Sequence, residues 1–157
     1  MKGLLQNLIH SEFILYKLEA SDKEAALSQM ASFLIQKGCC HKSFKEAILQ
    51  RERVNPSALP LQGFNIAIPH TDAEHVIQSS LLLASLKKPI NFQTMGSPNN
   101  ITPVFIISMF ALKEAEEIGN MLSELITAYQ KKELRQSIWK ARSQEHIYEI
   151  LMQELNK

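Results

Sequence analysis

The sequence predicts an α/β fold: a single-domain sandwich with a mixed central β-sheet of about four or five strands flanked by helices. Three observations predict it. Two nearly continuous apolar runs, Val76–Leu86 and Ile101–Phe110, suit strands covered on both faces. Segments with apolar residues at helical spacing lie on either side of them. Strands and helices mix without strict alternation, which disfavours a purely parallel sheet. The 157 residues fit one compact domain over 1–157, and a hydrophobic content of 45% is enough for a sizeable core.

The elements follow in order. Glu12–Leu18 is rich in aromatic and aliphatic residues and reads as a first strand. Ser21 lies three residues before Glu24, a capping-box spacing, so a helix should begin there. Its apolar face is Ala26, Leu27, Met30, Phe33 and Leu34, and Gly38 stops it. Ser43 and Glu46 form a second such pair, opening a short helix that ends near Arg53 because Pro56 and Pro60 follow. Val54–Gln62 is then a loop. Phe64–Ile68 is a short strand ended by Pro69, and Val76–Leu86 a longer one. Lys87-Lys88-Pro89 reads as a turn, Ile90–Phe92 as a brief edge strand, and Gly96-Ser97-Pro98-Asn99-Asn100 as a loop. After the Ile101–Phe110 strand the chain is helical: Glu114–Tyr129, Glu133–Lys140 and Ser143–Leu155.

Composition excludes several classes. Charged residues make up 21% and the net charge is +1, so no basic surface suggests nucleic acid. No apolar run approaches the ~20 residues of a membrane helix. The opening Met1-Lys2-Gly3-Leu4-Leu5 patch is interrupted by Asn7, His10 and Glu12 before a signal-peptide core forms, which reads as a cytoplasmic chain. Cys39 and Cys40 are the only cysteines and fit two reduced thiols at a helix end. With five glycines and no phosphate-cradling loop, nucleotides lack their usual site, and no Gly-x-Ser-x-Gly elbow is present.

The chemistry concentrates around Gly63-Phe64-Asn65-Ile66-Ala67-Ile68-Pro69-His70-Thr71. A strand stops at Pro69 and His70 emerges directly after it, where ligand sites of open sheets tend to lie. Proline restricts its own backbone and that of its predecessor, so the pair aims one imidazole with little freedom. An ordinary turn is the simpler account of such a pair taken alone. Arg51-Glu52-Arg53 ends the helix that leads to this strand. A guanidinium grips two phosphate oxygens at once, although cations at a helix C-terminus also answer the macrodipole. His10 reads as solvated, His41 as a helix-break residue, and His146 lies near the start of the last helix. The spacing of His70, Asp72 and His75 matches no established zinc pattern.

The Ile66-Ala67-Ile68-Pro69-His70 run, with Gly63 ahead of it, resembles the signature of the fructose/mannitol-type enzyme IIA family of the bacterial phosphotransferase system. Ala47-Ile48-Leu49-Gln50-Arg51-Glu52 resembles that family's helix ending in Arg-Glu. Pro89-Ile90-Asn91-Phe92 and Ala141-Arg142-Ser143-Gln144-Glu145 resemble two further segments in the same order, and the likeness covers about residues 12–155. Three positions depart from the pattern. Thr71 stands where a small residue is usual, Gln62 precedes the glycine in place of a hydrophobic residue, and no second histidine begins the long helix. Glu117 holds that histidine's place. The longer Arg51-to-His70 loop and the missing histidine resemble the galactitol-type branch.

The resemblance implies a phosphotransferase reaction through a phosphohistidine. The phosphohistidine carrier protein HPr donates to His70, through Nε2 with Nδ1–H held by a backbone carbonyl, and His70 passes the group to a cysteine of a IIB component. Arg51 is the implied phosphate stabiliser, Thr71 a hydroxyl donor, and Glu117 the replacement for the second histidine. No cofactor or metal is implied, because the donor is already activated. Both partners must reach one imidazole, so His70 is expected to be exposed in a shallow apolar depression with Phe64, Ile66 and Met95 as candidate walls. A different reading with the same His70 is a regulatory module whose phosphorylation state is sensed by a protein partner, without sugar transport.

Overall fold

The computed structural model describes residues 3–157; Met1 and Lys2, on which the signal-peptide reading partly rests, lie outside the described residues. Four strands form one mixed sheet in the order β1-β3-β4-β2, with β1 Ile14–Leu18, β2 Asn65–Ala67, β3 Ser80–Thr94 and β4 Ser97–Ala111. β3 and β4 are antiparallel, while β1 runs parallel to β3 and β2 parallel to β4. The helices are α1 Leu4–Leu8, α2 Lys23–Gln36, α3 Ser43–Val54, α4 Ile118–Ala128, α5 Lys132–Lys140 and α6 Gln144–Leu155. Among the described residues, no helix is long and apolar enough to cross a membrane.

The two apolar runs are continuous because both sheet faces are covered, as expected from the sequence. Leu82, Ala84, Ile107 and Met109 face α2 and α3, where they pack with Leu27, Met30, Leu34, Phe44 and Ile48. Leu81, Leu83, Ile106 and Phe110 point the other way, into a second core with Met121 and Leu125 of α4, Ile138 of α5, and Ile147 and Leu151 of α6. The alternation is the strand's own period of two, so one element serves two cores.

Several boundaries differ from the expectation, each for a local reason. β1 starts at Ile14, and Ser11–Phe13 is a 3-10 turn. Asp22 caps α2, accepting from the Ala25 N–H at 2.8 Å, so the Ser21–Glu24 box is not formed. Ser43 makes no cap for α3; its hydroxyl lies 2.8 Å from His75 Nδ1. Val76 makes only an isolated bridge with Cys40, and the strand proper begins at Ser80. The largest difference is in the hairpin. Lys87-Lys88-Pro89 is no turn, but the exposed part of an uninterrupted β3, where the pairing with β4 breaks between Ser85 and Ile90. Such a bulge accommodates a proline that cannot donate to the ladder. Ser97–Asn100 is likewise strand rather than loop, and the actual turn is Met95-Gly96, with Gly96 at φ 76°. Ala115–Glu117 is a 3-10 turn, so α4 begins at Ile118. α1 has no counterpart in the expected elements; the Glu124 carboxylate accepts from the N–H groups of Leu4 and Leu5 and ties it to α4.

Cys39 and Cys40 are free and buried after the Gly38 turn, and burial, with Cys39 adjacent, pushes the Cys40 thiol up to about 12.

Candidate functional site

β2 ends at Ala67, and two backbone bonds hold the chain beyond it. The Ile68 N–H donates to the Ser57 carbonyl at 3.0 Å, and the Phe110 N–H donates to the Pro69 carbonyl at 3.2 Å. His70 follows at once. Its Nδ1 lies 3.1 Å from the Ile68 carbonyl. A carbonyl can only accept, so the proton sits on Nδ1 and the Nε2 lone pair is left free. The ring stacks on Phe110 with centroids 4.5 Å apart and planes 13° from parallel. His70 is half-buried rather than exposed. That burial, assisted by the nearby Arg51 charge, holds its pKa below the usual 6.5, against the opposing pull of the Ile68 bond and Asp72. The ring is therefore neutral and nucleophilic at neutral pH.

Arg51 sits in the last turn of α3, where Nη2 donates to Asp72 Oδ1 at 2.5 Å. Glu52, next to it, is 4% exposed and accepts from the Ser57 N–H at 3.0 Å and the Ser57 hydroxyl at 2.7 Å. Burial pushes the Glu52 carboxyl above its ordinary value, while the two Ser57 donors and Lys23 pull it back. These bonds fold the chain after α3 back under the helix end. They thereby bring Arg51 and His70, 19 positions apart in the chain, to one cleft of about 290 Å³. Glu52, Asn55, Pro56 and Ser57 line it on the α3 side, Met95, Gly96 and Pro98 come from the hairpin tip, and Leu122 from α4.

The structure thus brings together His70 and Arg51, with Met95 as an apolar wall. Thr71 adjoins His70 but is 5% exposed and is not among the cleft-lining residues. Glu117 lines a separate depression with Leu4, Leu5, Asn120 and Glu124. Phe64 packs against Phe105 and Trp139, and Ile66 is fully buried, so neither is a wall of the cleft. The walls are mainly apolar, as expected, with Arg51 and Glu52 among the lining residues. His70, Asp72 and His75 go to three different partners: the Ile68 carbonyl, Arg51 and Ser43. Two contributions were not visible in the sequence. The Phe110 stack arises from sheet register, and Asp72 stands out only by lying two residues after His70.

Comparisons with known proteins bear on the family and the fold. Residues 7–154 match the family described as phosphoenolpyruvate-dependent sugar phosphotransferase system, EIIA 2. The chain is 26% identical over 153 residues to the fructose-specific EIIABC component of Bacillus subtilis, covering 95% of this chain and 23% of that protein. It is 24% identical over 97 residues to the galactitol-specific EIIA component of Escherichia coli, covering 62% of this chain and 65% of that one. The chain therefore spans less than two thirds of the length of either relative. Among solved structures, enzyme IIA-Mtl in its complex with phosphorylated enzyme IIB-Mtl from Escherichia coli superposes with a TM-score of 0.75 at 20% identity, covering 91% of this chain and 96% of that one.

Proposed function

Because the chain belongs to the EIIA 2 family of the phosphoenolpyruvate-dependent sugar phosphotransferase system, we propose that it carries a phosphoryl group on His70, from the phosphohistidine carrier protein HPr to a cysteine of a IIB component. One observation carries the assignment. The Nδ1–H bond to the Ile68 carbonyl leaves Nε2 as the only free nucleophile of a neutral ring, in the same cleft as Arg51. The mannitol IIA structure, solved with a phosphorylated IIB, supports the acceptor side.

The transfer balances as an exchange between two imidazoles. The Nε2 lone pair of His70 forms the new N–P bond as the donor's N–P bond breaks. A donor ring protonated on its other nitrogen leaves neutral. His70 keeps its Nδ1 proton and becomes a phospho-imidazolium, whose positive charge the Ile68 carbonyl faces. Phosphoryl transfer asks chiefly for in-line positioning and charge stabilisation. The Phe110 stack and the Pro69 bond supply the first, and the Arg51 guanidinium supplies the second. Thr71 is the proposed source of a further hydroxyl donor, and Glu117 the residue in the second histidine's position; its distance in the fold from the cleft-lining set makes it the weaker contributor. The carrier would work in the cytoplasm, without a bound metal or nucleotide.

Incubation with phosphoenolpyruvate, enzyme I and HPr, followed by mass spectrometry at alkaline pH, tests this. One acid-labile phosphoryl group is expected on the wild type and none on His70→Ala. Arg51→Ala should fold normally and accept the group about a hundredfold more slowly or worse, in the range for loss of a charge-stabilising donor. Labelling that persists in His70→Ala would remove His70 from the reaction.

A further inference from the structure

The Arg51 guanidinium already has an anion. Its Nη2 lies 2.5 Å from Asp72 Oδ1, and this is the one ion pair of Arg51 among the described residues. The neighbouring Glu52 carboxylate is taken up by Ser57, and Arg53 turns to Glu46 at 3.9 Å. Arg51 is also the only cationic side chain among the residues lining the cleft. One guanidinium must therefore serve two anions once His70 is phosphorylated.

The backbone that carries this exposed carboxylate is held in place. Backbone bonds at Ile68 and Pro69 anchor the chain before it, Thr71 is buried beside it, and the Asp72 carbonyl accepts from the His75 N–H at 3.3 Å. Arg51, by contrast, is a long side chain from a helix end, and its five donors can turn from one anion to another or bridge both.

We propose that Asp72 tunes how readily the phosphoryl group leaves His70, by competing with it for Arg51. In the resting protein the carboxylate keeps the guanidinium beside the imidazole. In the phosphorylated protein the two anions share one cation, and the nearby carboxylate repels the phosphoryl oxygens. The phosphorylated form is less favoured than it would be beside a neutral residue, so the group is held loosely enough to be handed on. Asp72 touches neither imidazole nor phosphorus in this scheme and acts through Arg51, as a positioning residue.

The proposal rests on phosphorylation at His70, and one experiment separates the two. Wild type, Asp72→Asn and Asp72→Glu are each brought to equilibrium with phosphorylated HPr, and the phosphorylated fraction is read by mass spectrometry. The isolated phosphoproteins are then followed as they hydrolyse; there water oxygen bonds phosphorus, the N–P bond breaks, and the ring leaves neutral. Asp72→Asn should shift the equilibrium toward the phosphorylated form and slow hydrolysis, each by about two- to fivefold, the range of exposed charge pairs. Asp72→Glu, which keeps the charge, should restore both toward wild type. A merely structural role would lower the melting temperature of both variants and leave the equilibrium unmoved. Unchanged or oppositely shifted values in a folded Asp72→Asn overturn the proposal alone. A wild type that takes no phosphoryl group overturns the proposed function and this proposal with it.

Discussion

His70 is controlled by three neighbours that act on different properties of one ring. The Ile68 carbonyl selects the tautomer, Phe110 fixes the plane, and burial with Arg51 keeps the ring uncharged. The pKa lies below the ordinary histidine value of 6.5, so the unfolded chain binds this proton more readily between the folded-state pKa and 6.5. Stability must then fall as pH drops through that window. NMR titration should give His70 a midpoint below 6.5 with Nδ1 protonated in the neutral ring. Urea unfolding of wild type relative to His70→Ala should lose stability on acidification across the same window. A midpoint above 6.5 would contradict the burial argument.

The turn that launches β2 shows how an element reaches the site from afar. Gly63 has φ 87° and Phe64 φ 49°, a left-handed pair that side chains rarely adopt, with Lys132 lying against the glycine. Arg135 of α5, 2% exposed, holds this pair in place. Its guanidinium donates to the carbonyls of Gln62, Gly63, Tyr129 and Gln130, at 2.7 to 3.3 Å. Arg135→Met would fill the volume and orphan four carbonyls, at a cost of about 3 kcal/mol in a chemical denaturation curve. The helices after α1 were legible in the sequence because their apolar spacing is a local pattern, and α4, α5 and α6 fall within a few residues of expectation; the five-residue α1 is too short to show one. The hairpin was not. Lys87-Lys88-Pro89 and Ser97-Pro98-Asn99-Asn100 have turn chemistry locally, and only cross-strand pairing and a bulge make them strand. The absent capping boxes have a similar origin. Asp22 is one residue better placed than Ser21, and His75, distant in sequence, claims the Ser43 hydroxyl.

The whole molecule is two cores divided by one sheet, which is why its stability should be separable. Ile48 lies in the core under α2 and α3, Ile147 in the core under α4 to α6, and both are fully buried. Ile48→Val and Ile147→Val should each cost about 1 kcal/mol. Unfolding free energies of the double variant should match the sum within ~0.5 kcal/mol, since no partner is shared across the sheet. The candidate site was legible in part at this scale. The Pro-His run and the helix ending in Arg51 pointed to one place, because motif order survives in the chain. The Asp72 pairing and the far wall of the cleft depend on how the sheet curls, which no local pattern records. That curl brings Thr94 into a bridge with Ala58, and the Met95 N–H donates to the Ala58 carbonyl at 2.8 Å. A two-residue hairpin tip is ordinarily the safest place to splice a tag or lengthen a chain. Here that tip lines the cleft of His70 and Arg51, so under the proposed function an insertion at Gly96 should obstruct docking by either partner while the fold stays intact.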